Sequence, residues 1–404
     1  MAADPNTADY DVVIAGGGLV GAAFAAALCQ APEAAGLRVA MIERQAPVAT
    51  GKGELFDPRV VAITEASRRL LARTGAWSEA VAGRACPYRE MEVRDGEGTG
   101  LIRFDSREIH QPDLGHIIEN TVLLSALLAR LRELDSLAFI HQSIARVMPG
   151  KLSEVVLENG ASLRTPLLVA ADGANSLVRE QCDFRLRSWD YGHDAIVATI
   201  RTSSLHECTA FQWFNTTGPL AFLPLLGEDG DCHHCSIVWS QNKPQAEHLF
   251  GLDDGAFGDA LSRASEHRLG EVVSVSRRYS FPIRQRHATN YVKEGVALIG
   301  DAAHSIHPLA GQGVNLGFAD AQVLAEELVR ALARGLPVGH LSALERYQRR
   351  RKPDNLAMMV AMEGFKRLFG SEDPLLRVLR NRGMSSLDAL GPLKNRLVRR
   401  AMGF

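Results

Sequence analysis

The chain has 404 residues, 46% of them hydrophobic and 23% charged, with a formal net charge of -2. That length exceeds most single cores and allows two interlocked domains around a large cofactor, while the near-neutral balance excludes an overall electrostatic attraction to nucleic acid. Six scattered cysteines (Cys29, Cys86, Cys182, Cys208, Cys232, Cys235) without a secretory signal fit reduced thiols in a cytosol and exclude a disulfide framework.

The first nine residues are polar and expected to fray. Residues 10–15 (YDVVIA) read as a buried strand, a glycine turn follows, Ala-rich residues 19–30 read as a helix, and 38–43 (RVAMIE) read as a second strand ending in an acid. This is a βαβ unit. Val12 to Gln30 is uncharged and about long enough to span a bilayer, but three glycines at fixed spacing break it where strand should pass to helix, so a membrane span is rejected. Residues 60–73 suggest a helix, and 89–94 and 101–105 alternate like strands. Asn120 is placed to cap an apolar helix over 121–134, with strands expected over 137–148 and 153–171. From 188 to 287 the pattern is mainly strand (194–201, 209–214, 219–225, 232–240, 271–283), with one helical stretch near 245–264. Residues 295–300 (GVALIG) form another buried strand, and a long helix starts near Gln312 and runs to about Arg334. The remainder is helical and basic, with Pro353 expected to kink or divide it.

Three stretches carry chemistry. The first, Gly16-Gly17-Gly18-Leu19-Val20-Gly21, puts G-x-G-x-x-G between a strand and a helix, with Glu43 ending the next strand. Gly16 suits a tight turn, Gly18 close approach of a diphosphate, Gly21 packing of helix on sheet, and Glu43 an adenosine ribose. The helix N-terminus adds N–H donors and partial positive charge, worth roughly 0.3–2 kcal/mol per anion contact. The second runs Val169-Ala170-Ala171-Asp172-Gly173-Ala174-Asn175-Ser176-Leu177-Val178-Arg179, and the third runs from Ala297 through Gly300-Asp301-Ala302-Ala303-His304-Ser305-Ile306-His307-Pro308-Leu309-Ala310-Gly311-Gln312-Gly313-Val314-Asn315 to Gly317. Each ends a strand with an Asp beside a glycine. Asp301 can bind a polyol hydroxyl, and backbone N–H groups around Gly313, Val314 and Asn315 open the long helix. For Asp172, capping of a short helix together with Ser176 and pairing with Arg179 is the competing structural reading.

The trio resembles the para-hydroxybenzoate-hydroxylase-type FAD-dependent monooxygenases, which pair a glycine fingerprint with D-G and G-D motifs. Ala-Asp-Gly-Ala-Asn-Ser and His-Pro-Leu-Ala-Gly-Gln-Gly-Val-Asn-Leu-Gly are most similar to the ubiquinone-biosynthesis hydroxylases, as are Asp57-Pro58-Arg59, Gln212-Trp213-Phe214, Gly218 to Leu225 and Gly391-Pro392-Leu393-Lys394. The likeness runs nearly end to end. It implies an α/β fold in which a Rossmann-like FAD-binding domain (1–87, 109–187 and 288–339) is interleaved with a mostly β substrate domain (88–108 and 188–287), followed by a C-terminal helical region (340–404). FAD is the implied cofactor, with NAD(P)H a transient co-substrate, for which no second dinucleotide fingerprint is present. The implied cofactor contacts are Gly16, Gly18, Leu19, Val20, Gly21, Glu43, Arg59, Asn120, Asp172, Gly300, Asp301, Pro308, Gly311, Gln312, Gly313, Val314 and Asn315. The implied reaction reduces FAD by hydride, adds O2 at flavin C4a to give a hydroperoxide, and transfers one oxygen to a phenolic, polyprenylated ring in ubiquinone biosynthesis.

The substrate pocket is expected between the β-rich domain and the flavin, near Trp213, Phe222, Leu223 and Pro224. Cys232-His233-His234-Cys235 lies in a strand that sends alternate residues to opposite faces, so no metal site is expected. His304 and His307 stay open between acid–base and structural roles. The basic tail around Lys394, Arg396, Arg399 and Arg400 stays open between contact with an anionic membrane or another subunit and docking on this chain. The expected location is cytoplasmic, with peripheral contact at the inner face of the membrane and membership of a biosynthetic complex or homo-oligomer left open. A flavin-dependent reductase or oxidase and a non-catalytic flavin-binding scaffold are the alternatives, with a Rossmann-type nicotinamide dehydrogenase disfavoured by Asp301 and the glycines after it.

Overall fold

The computed structural model describes residues 7–44, 56–96, 98–305, 313–369, 373, 381–384, 386, 388 and 390–402. Its first layer is a six-stranded sheet in the order Val292–Lys293, Val296–Leu298, Leu168–Ala170, Val12–Ala15, Val39–Ile42, Leu137–Ile140. All pairings are parallel except that of the edge strand Val292–Lys293. Every residue of Val12–Ala15, Val39–Ile42 and Val296–Leu298 is buried, which is why these strands read as unbroken apolar runs: a parallel sheet is covered on both faces. The helices Leu19–Cys29 and Gly313–Leu332 share its core.

This strand order positions the site. Ala15 lies opposite Ala170, and Ala170 opposite Leu298, so the turns that follow these three strands leave the sheet side by side at its carboxyl edge. Segments 155 and 128 residues apart in sequence thus become neighbours where open α/β sheets bind their ligands.

The second layer is a large sheet running Tyr279–Ala288, Leu186–Thr202, His234–Asn242, Gly218–Leu225, Thr209–Asn215, Glu90–Asp95, Leu101–Asp105. It is antiparallel except where Thr209–Asn215 meets Glu90–Asp95. The helices Lys243–Gly251 and Asp254–Ala264 cover one face over a core that includes Trp213, Phe222, Trp239 and Phe257. Against the other face packs a small sheet of Val60–Ile63, Gly115–Glu119 and Cys86–Tyr88, through Ala62, Tyr88 and Ile117 on one side and Ala210, Leu223 and Leu225 on the other.

Several elements differ from the sequence expectation. Residues 60–63 are a strand paired with Gly115–Glu119, and the helix begins only at Glu65, capped by Thr64. The β-branched run Val60-Val61 prefers a pleated surface, and the capping threonine marks the true start. Residues 153–171 break into Ser153–Leu157, Ser162–Thr165 and Leu168–Ala170. The 245–264 stretch is two helices, because Asp253 caps a fresh one. Pro353 neither ends nor divides its helix, which runs Leu341–Phe369. Arg350 and Arg351, just before the proline, are held by Glu326, Glu327 and Asp320 of the neighbouring long helix. That anchoring offsets the roughly 3 kcal/mol a mid-helix proline costs. Among the described residues no helix is long and apolar enough to cross a membrane.

Candidate functional site

The site is built where the three turns leave the parallel sheet. Gly16 adopts φ +100°, and a Cβ there would lie 2.4 Å from the Ala171 carbonyl oxygen and 2.9 Å from the Asp172 Cα. The first and second motifs therefore touch, and only glycine fits between them. Gly21 faces the same constraint, since its Cβ would meet the Gly16 carbonyl oxygen at 2.1 Å. Val20 reaches the third motif: a Cβ on Gly300 would sit 3.1 Å from its side chain, and one on Gly317 2.5 Å. Gly300 is left-handed, at φ +58°.

Buried arginine completes the junction. Arg179, 7% exposed, donates Nη1 to the Ala302 carbonyl at 3.0 Å and Nη2 to the Ala174 carbonyl at 2.9 Å, tying the second turn to the third. Arg286 reaches over from the large sheet to Asn175 Oδ1, 2.7 Å away. Neither arginine bridge was anticipated from sequence. The sequence offers Arg179 only as a partner of Asp172, and nothing local signals a contact more than a hundred residues away.

Gly18 behaves differently from its neighbours. It heads the helix Leu19–Cys29 with an extended backbone, no side chain caps that helix, its first turn carries no acid, and a Cβ on Gly18 would meet nothing within 4 Å. The fold does not require glycine here, whereas an anion approaching the uncapped N–H groups would. Glu43, at the end of the next strand, accepts the Gly17 N–H at 2.8 Å through Oε2, which fixes its carboxylate beside the loop.

Around this opening, Asp57 accepts the Thr121 N–H at 3.2 Å through Oδ2 and the Arg59 N–H at 2.8 Å through Oδ1. Asp57, rather than Asn120, therefore caps the helix Asn120–Leu131, because the D-P-R turn brings a buried carboxylate to its start. Asn120 donates its backbone N–H to the Arg59 carbonyl, its side-chain Oδ1 is buried without a protein partner, and the Arg59 side chain is exposed. Asp172 Oδ2 accepts the Val178 N–H at 3.2 Å while its Oδ1 is likewise buried without a partner, and Ser176 accepts the Arg179 N–H. Capping thus uses half of Asp172 and leaves an acceptor over. Asp301 presents its carboxyl at an open surface but is crowded by protein on its other sides; the lost hydration pushes its pKa above the usual carboxylate range, with His304 and Arg286 opposing.

At the head of the long helix, the Asn315 side chain is engaged by the protein: its Oδ1 accepts the Thr64 N–H at 3.1 Å and its Nδ2 donates to the Ala62 carbonyl at 2.7 Å. What Gly313, Val314 and Asn315 can offer a ligand is backbone N–H at a helix start. His307, Pro308, Gly311 and Gln312 lie outside the described residues. His304 is 2% exposed and pairs through Nε2 with Asp320 at 2.5 Å, so its imidazole is committed inside the protein.

The residues expected to line the pocket fall on opposite faces of the large sheet. Trp213 and Phe222 fill the core under the two helices of the large sheet, and Pro224 follows Phe222 by the period of two. Leu223 faces the other way, toward the small sheet, as Gln212 does by the same alternation. Of the C-x-x-C, Cys235 is buried and Cys232 half-buried, and His233 Nδ1 lies 2.9 Å from the Thr202 carbonyl. Lys394 is buried and paired with Glu108 and Asp388, so that part of the basic tail docks on this chain, while Arg396 and Arg399 are exposed.

An uncapped helix start beside a vacant Cβ position, two unpartnered buried acceptors and an accessible carboxylate suit a dinucleotide with a polyol arm. Comparison with known proteins agrees. Residues 9–361 match the family model described as FAD binding domain. The chain is 36% identical to the ubiquinone biosynthesis monooxygenase COQ6 of Xenopus tropicalis, over 96% of this chain and 92% of that one. It is 35% identical to the 3-demethoxyubiquinol 3-hydroxylase of Escherichia coli, over 97% and 98%. Among solved structures it resembles p-nitrophenol 4-monooxygenase PnpA from Pseudomonas putida, with a TM-score of 0.77 at 20% identity over 97% of this chain and 98% of that one, a likeness of fold.

Proposed function

The chain belongs to the FAD-binding-domain family, among the ubiquinone-biosynthesis monooxygenases, and from that premise we propose that it hydroxylates a polyprenylated phenolic ring with NAD(P)H and O2. FAD, when bound, supplies the redox chemistry, accepting hydride from the nicotinamide and activating oxygen. The observation that carries this reading is the meeting of three remote turns at one sheet edge, linked by Gly16 against Ala171, Val20 against Gly300 and Arg179 between Ala174 and Ala302.

The chain's own residues have positioning and electrostatic work there. The uncapped N–H groups after Gly18 hold the diphosphate, Glu43 the adenosine ribose, and Asp301 a ribityl hydroxyl. Backbone donors at the start of Gly313–Leu332 form a positive helix end that would favour negative charge on a flavin held there. The phenolic ring is assigned to the large-sheet face bearing Gln212 and Leu223, the face against which the small sheet packs, where water would be kept from the reacting atoms. A polyprenylated ring resides in a bilayer, so its route in is assigned to a peripheral contact with a membrane surface.

The test supplies the yellow enzyme with NAD(P)H, isotopically heavy O2 and a panel of prenylated phenols, and follows products by mass spectrometry. One heavy oxygen in the new hydroxyl is expected. Nicotinamide oxidation with no labelled product from any ring would leave a reductase or oxidase instead, and no nicotinamide oxidation with any ring would leave a scaffold.

A further inference from the structure

The long helix Gly313–Leu332 carries a buried acid, Asp320, that lies outside the three motifs. Asp320 is fully buried, and both its oxygens are occupied by donors. Oδ2 accepts the Gly300 backbone N–H at 3.1 Å and faces His304 Nε2 at 2.5 Å. Oδ1 accepts Arg351 Nε at 2.9 Å and Asn355 Nδ2 at 3.2 Å, and Arg351 Nη2 in turn donates to Asn355 Oδ1 at 2.8 Å. His304, Arg351 and Asn355 are themselves buried. Burial opposes the charge, yet His304 and Arg351 outweigh it and hold the carboxyl below its usual range.

We propose that Asp320 is a positioning residue of the cofactor site: it pins the amide of Gly300 and so holds the Gly300–Asp301 turn in the form that presents Asp301, with Arg351 and Asn355 of the C-terminal helix Leu341–Phe369 bracing it from behind. The inference rests on the reading that Asp301 meets the cofactor. Gly300 is in the left-handed region, where the turn has little intrinsic preference to stay unless its N–H is held. An ionised carboxylate accepts at both oxygens, which is what four converging donors require. An amide in its place accepts at one oxygen only. Arg351 cannot give up its proton and captures that oxygen, so the amide NH2 is left against Gly300 and His304. His304 can change tautomer and accept; the Gly300 N–H cannot, and the turn loses its anchor.

A control lies on the same helix two turns on. Glu327 is 1% exposed and holds Arg330, Arg346 and Arg350, so it fastens the same two helices without touching the Gly300 turn. The experiment strips FAD from the full-length enzyme, measures rebinding by quenching of flavin fluorescence and melting by calorimetry, and compares Asp320→Asn, Asn355→Ala, Glu327→Gln and Asp301→Ala below every melting transition. Glu327→Gln is expected to lower the melting temperature and keep the FAD dissociation constant within about twofold, whereas Asp320→Asn raises that constant by about tenfold or more and Asn355→Ala raises it in the same direction by less. Should Asp320→Asn fail to fold, Asn355→Ala against Glu327→Gln decides. Equal FAD affinity in the Asp320 or Asn355 variant and the Glu327 variant, with Asp301→Ala weakened, overturns the positioning role alone. Unchanged affinity in Asp301→Ala overturns the site reading and the inference with it.

Discussion

Gly18→Ala separates what the fold needs from what the ligand needs. The backbone at Gly18 is extended, at φ -71°, and the new methyl would meet no protein atom within 4 Å. Two small effects act on the apoprotein. Alanine is a poorer helix cap than glycine, costing about 0.5–1 kcal/mol, and it restricts the unfolded chain, returning about 0.4–1 kcal/mol. They nearly cancel, and with an unfolding entropy near 2.1 cal/mol/K per residue over 404 residues the apoprotein melting point should move by no more than about 1 °C. The ligand experiences the methyl directly. Pushing the diphosphate off the helix N-terminus removes a charge-assisted hydrogen bond of about 1.5–3 kcal/mol, which corresponds to roughly ten- to 150-fold weaker FAD binding. Calorimetry of the apoprotein and fluorescence titration of FAD read the two separately. Gly16→Ala is the contrast, since its methyl would strike the Ala171 carbonyl and the apoprotein itself should suffer. If Gly18→Ala binds FAD within about twofold of wild type, or melts as low as Gly16→Ala, the assignment of that opening to a diphosphate is refuted.

Arg179→Met takes the arginine donor from the Ala302 carbonyl, while the Ala174 carbonyl keeps Arg286, and should cost roughly 1–3 kcal/mol, lowering the melting point by about 1–4 °C and loosening FAD together with it; unaltered melting would show that the two turns hold without it. Asn315→Ala leaves the Thr64 N–H and the Ala62 carbonyl without their side-chain partner, and a loss of about 1–3 kcal/mol in urea unfolding is expected, with FAD affinity falling alongside. His287 is held neutral by burial, aided by the nearby charges of His304, Lys352 and Arg187, its pKa lowered from 6.5 to about 4. Its contribution is therefore complete above pH 6.5 and is lost as pH falls toward 4, where the unfolded chain binds the proton first. Between pH 7.5 and 5 this amounts to about 2 kcal/mol, which urea midpoints of wild type should show and His287→Gln should lack; parallel curves would contradict it.

Much of this arrangement was legible because it rests on local physics. Buried parallel strands announce themselves as runs such as Val12–Ala15 and Val296–Leu298, and left-handed turns with crowded Cβ positions demand glycine at Gly16 and Gly300. What was missed depends on contacts that sequence neighbours do not encode. The pairing of Val60–Ile63 with Gly115–Glu119, the capping of the Asn120–Leu131 helix by Asp57 and the grip of Asp320 on Gly300 all span tens of residues or a return of the chain. Pro353 illustrates the same point, because the helix continues through it where ion pairs fasten the preceding turn to a neighbouring helix. The four residues expected at the pocket divide between two faces, because alternation sends Trp213 and Phe222 into the core under the helices and turns Leu223 the other way.

A crystal structure of the FAD complex puts the central claim to the most direct trial. The diphosphate should rest on the N–H groups after Gly18, with the ribityl arm beside Asp301 of the same molecule. A flavin held elsewhere, or one contacting the first turn while Asp301 remains in solvent, would contradict it.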